Sequence, residues 1–174
     1  MPGRYEQWTD FLAEVKQRGI DVIVCLAPND EIERKSPSYA IAIRDGTLNC
    51  QRECFLISDY EIPQDREASA VFLRRIAELL RLDKTILVHC GAGIGRTGMF
   101  SICLLLTMGM SRINAEEAIH DAGSYPETAS KEAWWIDVKR SSQQNTIAPN
   151  IRCSRPAYRP DGWTFALCVE RNLR

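Results

Sequence analysis

The 174-residue chain is predicted to form an α/β domain, with a central, mostly parallel sheet flanked by helices. Two observations predict it. Short β-branched and apolar runs ("IDVIVCL", "ECFLIS" and "TILVH") have the length and composition of buried strands. Between and after them lie longer stretches with helical spacing, so strands and helices alternate along the chain. In such folds ligands bind beyond the carboxyl ends of the strands.

The elements follow in order. "TDFLAEVKQRG" reads as an N-capped amphipathic helix ended by Gly19, and "IDVIVCL" as a buried strand. The charged segment from Asn29 to Asp45 is broken at Ser36-Pro37 and turns helical through "SYAIAIRDG". "CFLIS" is the second strand. "REASAVFLRRIAELLRL" places Ala70, Phe72, Leu73, Ile76, Leu79 and Leu80 at helical spacing, and "TILVH" is the next strand. "RTGMFSICLLLTM" is apolar enough for a buried helix. "NAEEAIHDAG" has Asn114 as N-cap and Glu117 three residues on, as in a capping box. Residues 1–140 read as the folded domain. Residues 141–174 read as a polar, proline-containing extension of unassigned role: a linker or wrapping tail, with "WTFALCV" as a candidate terminal strand.

Composition narrows the function classes. Twenty-two basic and 23 acidic residues leave a net charge of −1, which gives no reason to expect nucleic acid or an acidic membrane as partner. The first residues, "MPGRYEQWTDF", lack the apolar core of a secretory signal, and no stretch approaches the roughly 20 apolar residues of a membrane span. The expectation is a cytoplasmic protein. The seven cysteines (Cys25, Cys50, Cys54, Cys90, Cys103, Cys153 and Cys168) have no disulfide-framework spacing and read mostly as buried free thiols. Cys50 and Cys54 form a weak metal pair at best, since His89 and His120 are the only histidines in the chain. No metal and no cofactor are expected.

The chemistry concentrates in "VHCGAGIGRTG", residues 88–98, between a strand's end and a helix's start. There the first backbone N–H groups of the helix lack intrahelical partners and the helix dipole adds partial positive charge, so an anion is favoured. A nucleotide loop would need a lysine followed by Ser or Thr, and a dinucleotide loop would need G-x-G-x-x-G with an acidic partner downstream. Neither is present. Instead Cys90 and Arg96 bracket five residues, Gly91, Ala92, Gly93, Ile94 and Gly95. This C-x5-R spacing lets the loop wrap into a cup with a sulfur at its base and a guanidinium at its rim. Arginine can grip two phosphate oxygens at once, and such surroundings favour the thiolate form of a cysteine. The pattern points to a nucleophile aimed at phosphorus. Rhodanese-like and low-molecular-weight phosphatase loops share this spacing.

"HCGAGIGRTG" resembles the signature loop of the cysteine-dependent protein tyrosine phosphatase superfamily and is closest to that of tyrosine-specific members, most of which carry Ser where this chain has Gly91. The resemblance spans roughly residues 9–140, which would be the phosphatase domain, and its length matches small dual-specificity members. It implies that Cys90 attacks phosphorus to form a phosphocysteine that water then hydrolyses, without a metal. It further implies that the loop Gly91 to Gly95 and Arg96 bind the phosphate, that Thr97 stabilises the leaving thiolate and that His89 supports the loop. The resemblance also calls for an aspartate on an upstream loop as general acid. Asp59 in "LISDYEIP" fits, 31 positions before Cys90. The family's Trp-Pro is replaced there by Ile57-Ser58, and Glu61 and Asp65 are rivals. The acid-then-cysteine order sets the chain apart from low-molecular-weight phosphatases and rhodanese-like chains.

Many family members position the hydrolytic water with a glutamine, and a loose alignment puts Glu132 in its place, although an ordinary exposed helix residue is the preferred reading. Trp134 and Trp135 read as helix packing. Family phosphoinositide phosphatases carry lysines where Ala92 and Ile94 stand here, which disfavours inositol phosphates. The implied partner is a phosphorylated protein. Phosphotyrosine is the first choice, with phosphoserine and phosphothreonine left open. A phosphoprotein-binding module of the same fold with weak turnover is the alternative.

Overall fold

The computed structural model describes residues 1–128, Ser130, Lys131 and Trp134, together with the backbone of residues 151–154 and 166–171. Among the described residues the elements run in the order α1 (Trp8–Gln17), β1 (Val22–Cys25), α2 (Asn29–Lys35), α3 (Pro37–Arg44), β2 (Gln51–Cys54), α4 (Arg66–Arg81), β3 (Ile86–His89), α5 (Gly95–Thr107), α6 (Arg112–Asp121), β4 (Ile151–Ser154) and β5 (Ala166–Arg171). The sheet order is β2-β1-β3-β5-β4. β1 is parallel to both β2 and β3, with Cys25 opposite Cys54 on one side and His89 on the other. β5 runs antiparallel to β3 and β4, so the predicted α/β sheet is mixed at that edge.

Alternation along the two central strands sorts the core. Val22, Val24 and Leu26 of the β1 segment and Ile86, Val88 and Cys90 at β3 pack with α4, α5 and α6. Ile23 and Leu87 face α1 through Phe11 and Val15, while Cys25 and Ala27 meet Ile32 of α2 and Tyr39 of α3. Both faces of β1 and β3 are therefore buried, as continuous apolar runs require. In α4, Leu73, Ile76 and Leu80 are buried at spacings of three and four, each contributing roughly 1.5–3 kcal/mol by removal from water. Asp65 caps α4 by accepting from the Ala68 N–H at 2.9 Å.

Several details depart from the sequence expectations. β2 occupies "QREC" rather than "CFLIS", because it is the edge strand, where polar residues are tolerated. The apolar residues that follow still bond to β1, with Phe55 N donating to Cys25 O and Ile57 N to Leu26 O. α1 begins at Trp8 with no side-chain cap. α6 is capped by Ser111, whose hydroxyl accepts from the Asn114 N–H at 3.3 Å, so Asn114 is not the cap. The segment from Asn29 holds two helices, α2 and α3, divided at Ser36. The polar stretch read as a linker or tail contains β4 and β5, and "WTFALCV" yields part of β5. Glu132 and Trp135 lie outside the described residues.

Candidate active site

Cys90 immediately follows β3, and α5 begins five residues later at Gly95, so the intervening loop closes on the helix N-terminus. α5 has no side-chain N-cap, and its first N–H groups keep their partial positive charge directed into the loop. Gly93 takes φ +76°, a conformation that disfavours side chains, and its N–H points to Cys90 Sγ at 3.1 Å. The loop's other side is pinned by Ser124, whose hydroxyl donates to Gly93 O at 2.7 Å, and by Arg4, whose Nη1 donates to Gly91 O at 3.1 Å.

The other loop glycines are matters of space. A Cβ at Gly91 would run into the Glu31 carboxylate, one at Gly95 into the Glu127 carboxylate, and one at Gly98 would come within 2.6 Å of the Tyr125 backbone. A serine at position 91 would have to displace Glu31, which accounts for the glycine there.

Arg96 is 2% exposed and its guanidinium is fixed from several sides. Nη1 donates to Glu31 Oε2 at 2.7 Å and to Ile57 O at 3.0 Å, and Nη2 donates to Glu31 Oε1 at 2.9 Å. Nη2 also lies 3.1 Å from Asp59 Oδ1. Lys35, one turn on from Glu31, donates to Glu31 Oε1 at 2.6 Å and stands 3.9 Å from Asp59 Oδ2. Burial alone would raise the Glu31 pKa, but the hydrogen bonds and charges of Arg96 and Lys35 prevail and hold it at about 2. Burial likewise opposes the charge on Arg96. The bonds to Glu31 and the nearby anionic groups outweigh it and push its pKa above the usual arginine value.

His89 is buried on the opposite sheet face. Its Nε2 lies 3.0 Å from the Tyr39 hydroxyl and its Nδ1 3.4 Å from Cys90 O. Burial holds its pKa well below the ordinary 6.5, so it stands neutral behind the loop. Thr97 Oγ1, in the first turn of α5, is buried without a hydrogen-bond partner among the described residues.

The structure thus gathers Cys90, the loop Gly91 to Gly95, Arg96, Thr97, His89 and Asp59 at one end of the sheet, beyond the carboxyl ends of β1 and β3. Of the other two carboxylates, Asp65 is engaged as the cap of α4, and Glu61, like Asp59, is exposed. Sequence reasoning missed Glu31 and Lys35. Their signal was position, since "NDEIERK" begins four residues after the carboxyl end of β1. It also missed Lys131, which is 0% exposed beside the site.

Residues 4–150 match the family model described as "Swiss Army Knife protein, DSP-PTPase phosphatase domain". Among solved structures the chain is similar to Tk-PTP in its active form, with 22% identity and a TM-score of 0.62 over 80% of this chain and 88% of that one. It is also similar to kinase-associated phosphatase with serine in place of its catalytic-site cysteine, with 17% identity and a TM-score of 0.69 over 83% and 85% of the two chains. These likenesses concern the fold. No curated protein is similar enough in sequence to count as a match.

Proposed function

Because the chain belongs to the DSP-PTPase phosphatase domain family of Swiss Army Knife proteins, we propose that it hydrolyses phosphate monoesters on protein side chains through a phosphocysteine on Cys90. Phosphotyrosine is the preferred substrate. The observation that carries this reading is the meeting of three groups at one end of the sheet. The Cys90 sulfur is met by the Gly93 N–H, Arg96 is held rigid by Glu31, and Asp59 lies 3.1 Å from the same guanidinium.

In the first step Cys90 Sγ, as thiolate, attacks phosphorus. The S–P bond forms while the bond to the ester oxygen breaks, and Asp59 gives that oxygen a proton. In the second step water attacks phosphorus and passes a proton to Asp59. The S–P bond breaks, regenerating the thiolate and releasing inorganic phosphate. Charge on the transferring group is met by the loop N–H groups, the α5 N-terminus and Arg96, so catalysis rests on positioning and fixed electrostatics. Glu31 takes one side of the guanidinium, leaving Nε and the Nη2 edge now facing Asp59 for phosphate oxygens. In this reading the Thr97 hydroxyl, buried with no hydrogen-bond partner among the described residues, donates to the departing sulfur.

Tyr60, 73% exposed and next to Asp59, offers an aromatic face at the mouth, which supports an aryl phosphate. Phosphoserine and phosphothreonine are the second choice for a shallow cleft. The test is phosphate release from phosphotyrosyl, phosphoseryl and phosphothreonyl peptides in the presence of a chelator. Chelator-insensitive turnover, fastest on the tyrosyl peptide, is expected. Binding of all three with no turnover would make the chain a phosphoprotein-binding module instead.

A further inference from the structure

The loop carrying Asp59 leaves β1's neighbourhood at Ile57 and re-enters regular structure at Asp65, the cap of α4. Residues 58–61 between these anchors are exposed. Within the loop Asp59 Oδ1 accepts from the neighbouring Tyr60 N–H at 3.2 Å, and its other contacts come from outside. The Arg96 guanidinium, which a phosphate would compete for, lies 3.1 Å from Asp59 Oδ1, and the Lys35 ammonium 3.9 Å from Oδ2. Two contacts with other residues of the loop come from a single segment after α6. The Trp134 indole N–H donates to Pro63 O at 3.2 Å. The Lys131 ammonium lies 5.8 Å from the centroid of the Tyr60 ring.

The Lys131–Tyr60 contact is unusual for both residue types. Lys131 is fully buried, a rare state for lysine, and its ammonium donates to Glu127 Oε2 at 3.5 Å. Tyr60 holds φ +62°, a left-handed backbone that a bulky residue keeps only where its surroundings compensate. The ring it presents is the one Lys131 faces, an arrangement favoured by the quadrupole of the aromatic face. The same segment also touches the phosphate loop, through the Ser124 hydroxyl on Gly93 O and the Glu127 carboxylate against Gly95. One strap thus contacts both loops of the site.

We propose that Lys131 and Trp134 are positioning residues that dock the Asp59 loop over the phosphate cup, setting the proton donor in register with the nucleophile. The proposal rests on the reading of Asp59 as general acid. Neither side chain need touch the substrate. Their effect runs through Asp59, and so it scales with the need for a proton at the leaving group.

The experiment measures kcat and KM for Trp134→Phe, which keeps the ring and removes the N–H, and for Lys131→Met, which keeps the stem and removes the charge. Each is made in the native chain and with Asp59→Asn, and assayed on a phosphotyrosyl peptide and on para-nitrophenyl phosphate. Each single substitution should lower kcat on the peptide about ten-fold, and on the activated ester by no more than about two-fold. Added to Asp59→Asn, either should cost less than about two-fold, because the group they position is already gone. Equal losses on both substrates, losses that multiply with Asp59→Asn, or unchanged kinetics in both variants would overturn the proposal. If Asp59→Asn itself shows no leaving-group dependence, the acid assignment falls and the positioning role falls with it. Should Trp134→Phe fail to fold, Lys131→Met decides alone.

Discussion

The two loops that make the site are built on opposite principles. The phosphate loop is buried at Cys90, Gly91, Gly93, Gly95 and Arg96, and it is held by contacts from the N-terminal segment, α2 and the segment after α6. The Asp59 loop is open: Asp59 is 44% exposed on its side chain, and the loop is held by the ion pairs of Asp59 with Arg96 and Lys35 and by two contacts from the strap on Tyr60 and Pro63. The difference follows from what each must do. Groups that stabilise developing charge work best when they need not reorganise, whereas a proton donor must admit a substrate and then approach it. Few buried contacts place the second loop at the low end of local stability.

That comparison can be broken most severely at the sulfur. Cys90→Ser should abolish turnover while phosphopeptide affinity stays within a few-fold, since the donors of the cup survive. Loss of both together would show that the cup does not bind without the thiolate. Arg96→Lys should reduce affinity and rate alike, because a point charge cannot reproduce a two-pronged grip, and kinetics equal to the native chain would remove Arg96 from the site. Glu31→Gln probes the rigidity of the same loop from behind. Breaking this buried pair should cost about 3 kcal/mol of stability by denaturant titration, and the rate should fall on both activated and unactivated esters.

The open loop should respond differently. Asp59→Asn should slow tyrosyl phosphate hydrolysis by about 10²–10⁴ and para-nitrophenyl phosphate much less, whereas Glu61→Gln should leave both near native. A leaving-group dependence in Glu61→Gln, with none in Asp59→Asn, would transfer the acid role.

The smallest effect concerns His89. Its folded pKa lies below the ordinary 6.5, so the unfolded chain takes up a proton first as pH falls. Its contribution to stability is therefore complete above about 6.5 and declines below that value. Thermal unfolding across pH 7 to 5 should show this slope in the native chain and a shallower one in His89→Gln. Equal slopes would mean that other groups carry it.

The same contrast explains what the sequence made legible. The phosphate loop is a local signal, because its cysteine, glycines and arginine lie within ten residues and their spacing dictates the geometry. Arg96's buried partner Glu31 lies 65 positions upstream, and nothing in "NDEIERK" distinguishes it from a solvated helix face until β1 and β3 are placed side by side. Asp59 stands out in the sequence as an acid candidate by order and position. The contacts of Lys131 and Trp134 with its loop leave no such trace, since Trp134 carries the spacing of ordinary helix packing and is 3% exposed in the core. Among the strands, apolar β1 and β3 stood out, while β2 at the edge, with its polar "QREC", did not. β4 and β5 pair with one another and with β3 through backbone bonds, which leave little trace in a proline-broken polar stretch.

The central claim, that Cys90 carries the phosphoryl group, is tested most directly by quenching the enzyme in acid during turnover of an aryl phosphate and mapping the phosphate by mass spectrometry, with Cys90→Ser assayed alongside. Phosphate on the peptide containing Cys90, together with no turnover by Cys90→Ser, is the predicted result. Phosphate on another residue, or hydrolysis by Cys90→Ser at a rate comparable to the native chain, would contradict it.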